Sequence, residues 1–247
     1  MTALILMLAL AMQEDFGKKL DEILPRLASE RIAEREVAVA DLFKQVDSAG
    51  PNARAILRTR LKTATDPSVR LALEAALKRI PPLELKIEVK GEPAVGWMVK
   101  FKARIKNIGD DEVAVVRSLD GSAHGSRYPR VFAEIRGPDG HVIPRESPFR
   151  CGHFNRLRID DLSALKPGQD FDPFGQGSYG NFHLSDWYPA VAGKHTVLLW
   201  IDYSAKEPAE WRGVLGPPGS EDEPLRRLFD QVPKVKLEAK VEFEVKE

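Results

Sequence analysis

The chain has 247 residues, 43% of them hydrophobic and 30% charged, enough apolar material for one or two folded domains. Its 37 Lys and Arg residues balance 37 Asp and Glu residues, so the formal net charge is zero. That argues against the cationic surplus with which a general nucleic-acid binder displaces counterions, and no nucleic-acid partner is expected. The single cysteine, Cys151, excludes an intrachain disulfide, so packing alone must hold the fold.

The first segment, Leu4 to Met12, is an apolar run. It is too short for a bilayer-spanning helix, which takes roughly 20 residues, and has the length of the apolar region of a secretory leader. Ala9 and Ala11 supply an A-x-A spacing, and cleavage after Ala11 or after Gln13 fits; no Lys or Arg precedes the run. Residues 1–13 are therefore assigned as a signal peptide, which makes the protein secreted or periplasmic, with a bacterial envelope as the expected setting. No other segment is expected to span a membrane.

Residues 14–81 read as helical. Phe16, Leu20, Ile23 and Leu24 outline a short helix over about 16–26, with Pro25 near its end; a second runs from about Ser29 to Val46 and a third from about Pro51 to Lys62. The clearest spans Pro67 to Ile80, where Val69, Ala72, Leu73, Ala76, Leu77 and Ile80 recur at three- and four-residue steps. Asp66 stands at its N-cap, Pro67 in its first turn, and Pro81-Pro82 stop it.

Arg35 and Ala38, the Gly50-Pro51 start and the run Asp66-Pro67-Ser68-Val69-Arg70 make residues 33–80 resemble a HEAT-type helical repeat. The resemblance covers about one repeat and a half, fewer than a solenoid needs for stability. It implies protein interaction, with the exposed stripe of the helical hairpin packing on the following domain or on a partner.

At Pro81-Pro82 the rhythm changes. Leu83, Leu85, Ile87 and Val89 alternate with charge, as do Val99, Phe101, Ala103 and Ile105. Further strands are expected at 112–117 and 131–136, with 141–143 as a hairpin partner after Gly137-Pro138-Asp139-Gly140. A weaker one is expected at 179–184 and a strong one at 195–203, apolar on both faces and therefore central. The last alternates cleanly from Val235 to Val245. About seven strands without intervening helices predict an antiparallel sandwich over residues 82–247, with a barrel as the alternative. Leu165-Lys166-Pro167-Gly168 followed by Ala192-Gly193-Lys194-His195-Thr196-Val197 resembles bacterial immunoglobulin-like and fibronectin-like modules, without the Cys…Trp…Cys core of antibody domains. The expected fold class is thus an α+β two-part chain, a HEAT-like helical hairpin and then an Ig-like antiparallel β-sandwich.

Catalytic and metal signatures are weak. His124, His141, His153, His183 and His195 make no H-x-x-x-H or H-E-x-x-H spacing. Cys151-Gly152-His153 is the one close Cys/His pair, short of the four ligands zinc needs. Asp160, Asp161, Asp170 and Asp172 share one loop but lack the Gly and Glu of a calcium loop. A serine triad drawn from Ser178, His183 and Asp186 lacks G-x-S-x-G, and Gly175 and Gly177 do not open a helix. The expectation is no enzyme activity, no metal and no cofactor.

The long stretches 144–178 and 204–233 lack periodicity, as functional loops do. Aromatics crowd this half of the chain: Phe171, Phe174, Tyr179, Phe182, Trp187, Tyr188 and Trp211. They either cap the core and pin the loops or form a contact surface. Trp187, Tyr188, Trp211 and Arg212 are the candidate ligand-binding residues. The functional expectation is a non-enzymatic extracytoplasmic interaction module that binds a protein partner through sandwich loops and the helical hairpin. The alternative is a carbohydrate-binding accessory domain that stacks sugars on Trp187, Tyr188 and Trp211. A third reading is a hydrolase with a site split across loops.

Overall fold

The computed structural model describes residues 2–123, 125–144, 155, 157–175, 187–206, 208–211 and 230–247, the side chains of 2–13, 52, 208 and 209 excepted. The chain divides into two compact units, Met1–Pro81 and Pro82–Glu247.

The first unit holds four helices, α1 (Thr2–Leu27), α2 (Ile32–Ala49), α3 (Ala53–Thr63) and α4 (Pro67–Arg79). A 3-10 turn at Gly50–Asn52 joins α2 to α3, with Gly50 at φ 57°, a backbone conformation that only glycine adopts without strain. α4 starts where a capping argument places it: the Asp66 carboxylate accepts hydrogen bonds from the Ser68 and Val69 amides at 2.8 and 3.0 Å, satisfying two of the orphan donors of the first turn. Phe16, Leu20, Ile23 and Leu27 form the buried stripe of α1. Pro25 removes one amide donor from this helix but does not end it; Leu27, two residues on, is 1% exposed, so packing outweighs the lost hydrogen bond.

The stripe of α4 does not stand open for docking as expected. Val69, Ala72, Leu73 and Ala76 are buried in one cluster with residues of α1, α2 and α3. Among the described side chains of this unit, the large apolar ones left exposed are instead Ile32, Val37 and Leu71.

The second unit is antiparallel β. Among the described residues its strands are β1 (Leu83–Lys90), β2 (Lys100–Asn107), β3 (Val113–Val116), β4 (Arg130–Arg136), β5 (Leu162–Leu165), β6 (Asp170–Phe171), β7 (Gly193–Asp202) and β8 (Lys236–Val245). They form a β1-β2-β6 sheet, a β4-β7-β8 sheet and a short β3-β5 ladder. Inward residues of all three share one core, among them Leu85 and Ile105 from the first sheet, Val197, Leu199 and Phe243 from the second, and Val115 and Leu165 from the ladder. This is a sandwich: in β1, β2 and β8 alternate residues meet across the core and most of the others face water.

β7 is central as expected, paired with β8 over its full length on one side and with β4 from Thr196 to Asp202 on the other. The 141–143 hairpin partner is reduced to a single bridge, Val142 to Arg136. β5 and β6 were not expected, and the 179–184 strand lies outside the described residues. β3 is buried at all four positions, as a strand covered on both faces should be. Asn107, fully buried at the end of β2, ties this region together. Its Nδ2 donates to the Asp111 and Leu165 carbonyls at 2.8 and 2.7 Å, and its Oδ1 accepts from the Gly109 amide at 2.8 Å. A buried amide is tolerated because its partners are present.

Candidate interaction surface

The β1–β2 connection forms one end of the sandwich. It runs from Gly91 to Val99 between the two strands, and Gly91 and Gly96 supply the positive φ values, 76° and 74°, that turn the chain. The loop is fixed by backbone hydrogen bonds on both sides. The Val95 amide donates to the Lys246 carbonyl and the Lys246 amide to the Pro93 carbonyl, each at 2.9 Å. On the other side the Gly96 amide donates to Pro189 at 2.9 Å and the Val99 amide to Trp187 at 3.0 Å.

This lacing sets two loops side by side and sorts their side chains. Trp187 points inward, 5% exposed, onto Phe101, Phe243 and His195 with ring centroids 6.3, 6.0 and 5.4 Å away. His195 is fully buried beneath it, its Nδ1 2.9 Å from the Gly193 carbonyl. Tyr188, the next residue, points outward at 56% exposed. Trp97 is 74% exposed and Met98 40%. Val191 and Val142, at the start of β7 and beside the end of β4, are also exposed at this end.

The opposite end is closed. Trp211 is fully buried, its ring centroid 5.8 Å from Tyr128 and 5.9 Å from Tyr203. Tyr203 donates to the Val116 carbonyl at 2.8 Å, and burial raises its pKa far above the usual tyrosine range. Arg127 is buried here too, hydrogen-bonded to the Asn155 carbonyl and 3.4 Å from Asp120. Burial lowers its pKa, while Asp120 and Asp161 oppose that shift.

Trp187 and Trp211, two of the four candidate residues, therefore do not share one site. Trp187 sits near the start of β7 and Trp211 near its end, roughly 27 Å of strand apart at about 3.4 Å per residue. Neither indole offers a face to solvent, because both fill the core. Tyr188 is exposed, and Arg212 lies outside the described residues. So do Cys151, His153, Ser178, His183 and Asp186. Asp172 accepts from the Phe174 and Gly175 amides, Asp161 from Arg158, and Asp170 lies 3.6 Å from Arg104. Among the described residues no three His, Cys, Asp or Glu side chains are grouped to hold a metal ion.

No family model matches the chain, and no curated protein matches it. Among solved structures it is similar to the CARDB domain of a Pyrococcus furiosus protein, crystallised in complex with di-metal ions. Identity is 12%, the match covers 68% of this chain and 90% of that one, and the TM-score is 0.24. At that score the likeness carries no argument for ligand or metal.

Trp97 is the residue that sequence reasoning passed over. Its signal was its place: it directly follows a glycine in the turn between two alternating strands, where a side chain has no sheet face to join. No helix among the described residues is long and apolar enough to cross a membrane.

Proposed function

We propose that this chain is a non-enzymatic interaction module, working outside the cytoplasm, that docks a protein partner through the loop end of its sandwich. The observation that supports this most is the exposure of Trp97, Met98 and Tyr188 on two loops hydrogen-bonded to each other. Trp and Tyr are the residue types that dominate binding hot spots, and their fixed backbone lowers the entropy lost on docking. The resemblance of the N-terminal residues to a HEAT-type unit and of the rest to Ig-like modules points the same way. The leader-like first 13 residues support export.

The test is crosslinking from an envelope fraction, with the wild-type chain beside a Trp97→Ala/Tyr188→Ala variant. A partner captured by the first and lost by the second is expected. An empty capture, or a partner held equally by both, overturns the reading.

The carbohydrate alternative moves from Trp187 and Trp211, whose rings are buried, to Trp97 and Tyr188, whose rings are open. A glycan array on which Trp97→Ala abolishes a signal would favour it over a protein partner.

A further inference from the structure

The outward face of the β1-β2-β6 sheet is more basic than its own pairing requires. β2 presents Lys100, Lys102, Arg104 and Lys106 at every second position, and β1 adds Lys86 and Lys90. Against these six cations stand three carboxylates, Glu84, Glu88 and Asp170. The register sets Glu84 opposite Lys106 and Glu88 opposite Lys102, with Asp170 of β6 on the other side of Lys106, but it also sets Lys86 opposite Arg104 and Lys90 opposite Lys100. Like charges directly opposite weaken a ladder, so these two rungs do not serve folding.

The available counter-charges are largely committed. Glu88 bonds Lys90 at 2.8 Å and lies 3.9 Å from Arg104, which also faces Asp170 at 3.6 Å. Lys100, Lys102 and Lys106 make no ion pair within 4.0 Å with any described residue. Along this face runs an open groove of about 590 Å³. Lys102, Arg104 and Lys106 line it together with the carboxylates of Glu88 and Asp170, and Lys240, also at its edge, is bonded to Glu242 at 2.7 Å. Glu238 reaches the groove as well, its carboxylate oriented by a hydrogen bond from Trp200 Nε1 at 2.9 Å and still negatively charged.

Alternate residues of a strand repeat at about 6.8 Å. An extended peptide with carboxylates at every second position has the same repeat, so its acids meet Lys102, Arg104 and Lys106 in step. We propose that this groove docks an extended acidic segment of a partner protein, its alternating carboxylates pairing with those three cations. The proposal rests on the reading of the chain as a protein-binding module, but uses a face distinct from the loop end.

The experiment is fluorescence anisotropy on the full chain with a labelled synthetic peptide of eight residues, the length of β2, alternating Glu and Ser. A second peptide has the same composition with its Glu residues in one block, and inorganic polyphosphate is the third probe. Saturable binding of the alternating peptide is expected, at least about fivefold tighter than the block peptide. It should fall about tenfold in Lys102→Gln/Lys106→Gln and weaken as salt rises from about 0.05 to 0.3 M. Thermal melting checks that the variant is folded. Trp97→Ala/Tyr188→Ala should bind the peptide like the wild type, so failure here is separable from failure of the loop-end contact. No saturable binding, equal affinity for both peptides, or no change in the lysine variant overturns the proposal. Polyphosphate binding that the peptide cannot displace overturns the assignment to an acidic protein segment.

Discussion

Trp187 and Tyr188 are adjacent in sequence and opposite in environment, so the same truncation at each should separate stability from binding. Trp187 is 5% exposed and wedged among Phe101, His195 and Phe243. Trp187→Ala removes that contact area and leaves a cavity that strands cannot close, which costs about 3–5 kcal/mol. For a domain of this size each kcal/mol moves the midpoint by about 2–4 °C, so the melting temperature should drop by roughly 10 °C. Tyr188 is 56% exposed, and Tyr188→Ala should stay within about 0.5 kcal/mol of wild type. Far-UV circular dichroism against temperature and against urea measures both. Partner capture should show the reverse order among folded proteins, with Tyr188→Ala impaired. If Tyr188→Ala unfolds the sandwich as readily as Trp187→Ala, the sorting of these side chains, and the surface built on it, is wrong.

Asp66→Ala should destabilise the helical unit by about 1 kcal/mol, because two first-turn amides lose their acceptor; helical ellipticity during melting reads it. Asn107→Ala takes the Asn107 donor from the Asp111 and Leu165 carbonyls and leaves the Gly109 amide only its bond to the Pro82 carbonyl, and should cost roughly 2 kcal/mol, seen as a lower urea midpoint at unchanged slope. Hydrogen bonds from Lys194 and then Lys240 lower the Glu242 pKa from 4.5 to about 2. A pKa lowered in the folded state gives stability that is complete above the unfolded value and lost as pH falls through the folded one. Acid should therefore erode stability between about pH 4.5 and 2, and Glu242→Gln should flatten that slope. The effect is small, since the Lys194 and Lys240 side chains are 63% and 54% exposed and water screens the pairs.

The two-part architecture was legible because each half repeats its own rhythm long enough to be heard. α4 repeats its stripe over three turns, and β1, β2 and β8 alternate over eight to ten residues. β5 and β6 were silent for the same reason in reverse. A strand of four residues has two inward positions and one of two residues has one, too few to define a period. β5 exists because β3 needs a partner, with Val113 facing Leu165 across a separation in sequence that no local pattern records. The short helix expected at 16–26 spans Thr2–Leu27: its C-terminal bound moves by one residue past Pro25, and the growth is N-terminal, over an apolar run rich in the strong helix formers Leu, Ala and Met.

The site was harder to see, and parity explains why. Counting back in twos along the inward residues of β2 gives Ile105, Ala103, Phe101 and Val99, and the next step lands on Trp97. The rule holds as far as Val99, which is 3% exposed, and fails at Trp97, which is 74% exposed. What intervenes is the turn: the Trp97 amide donates to the Ala94 carbonyl at 3.1 Å and Gly96 takes a positive φ, so the pleat ends before the tryptophan. The same lacing holds the Trp187 carbonyl against the Val99 amide and aims the Trp187 side chain at Phe101 and Phe243. One tryptophan is thus left in water and the other placed in the core by a turn that sequence composition marks only as a glycine. An aromatic outside the alternating strands carries no parity of its own, and its burial is decided by which backbone it is tied to.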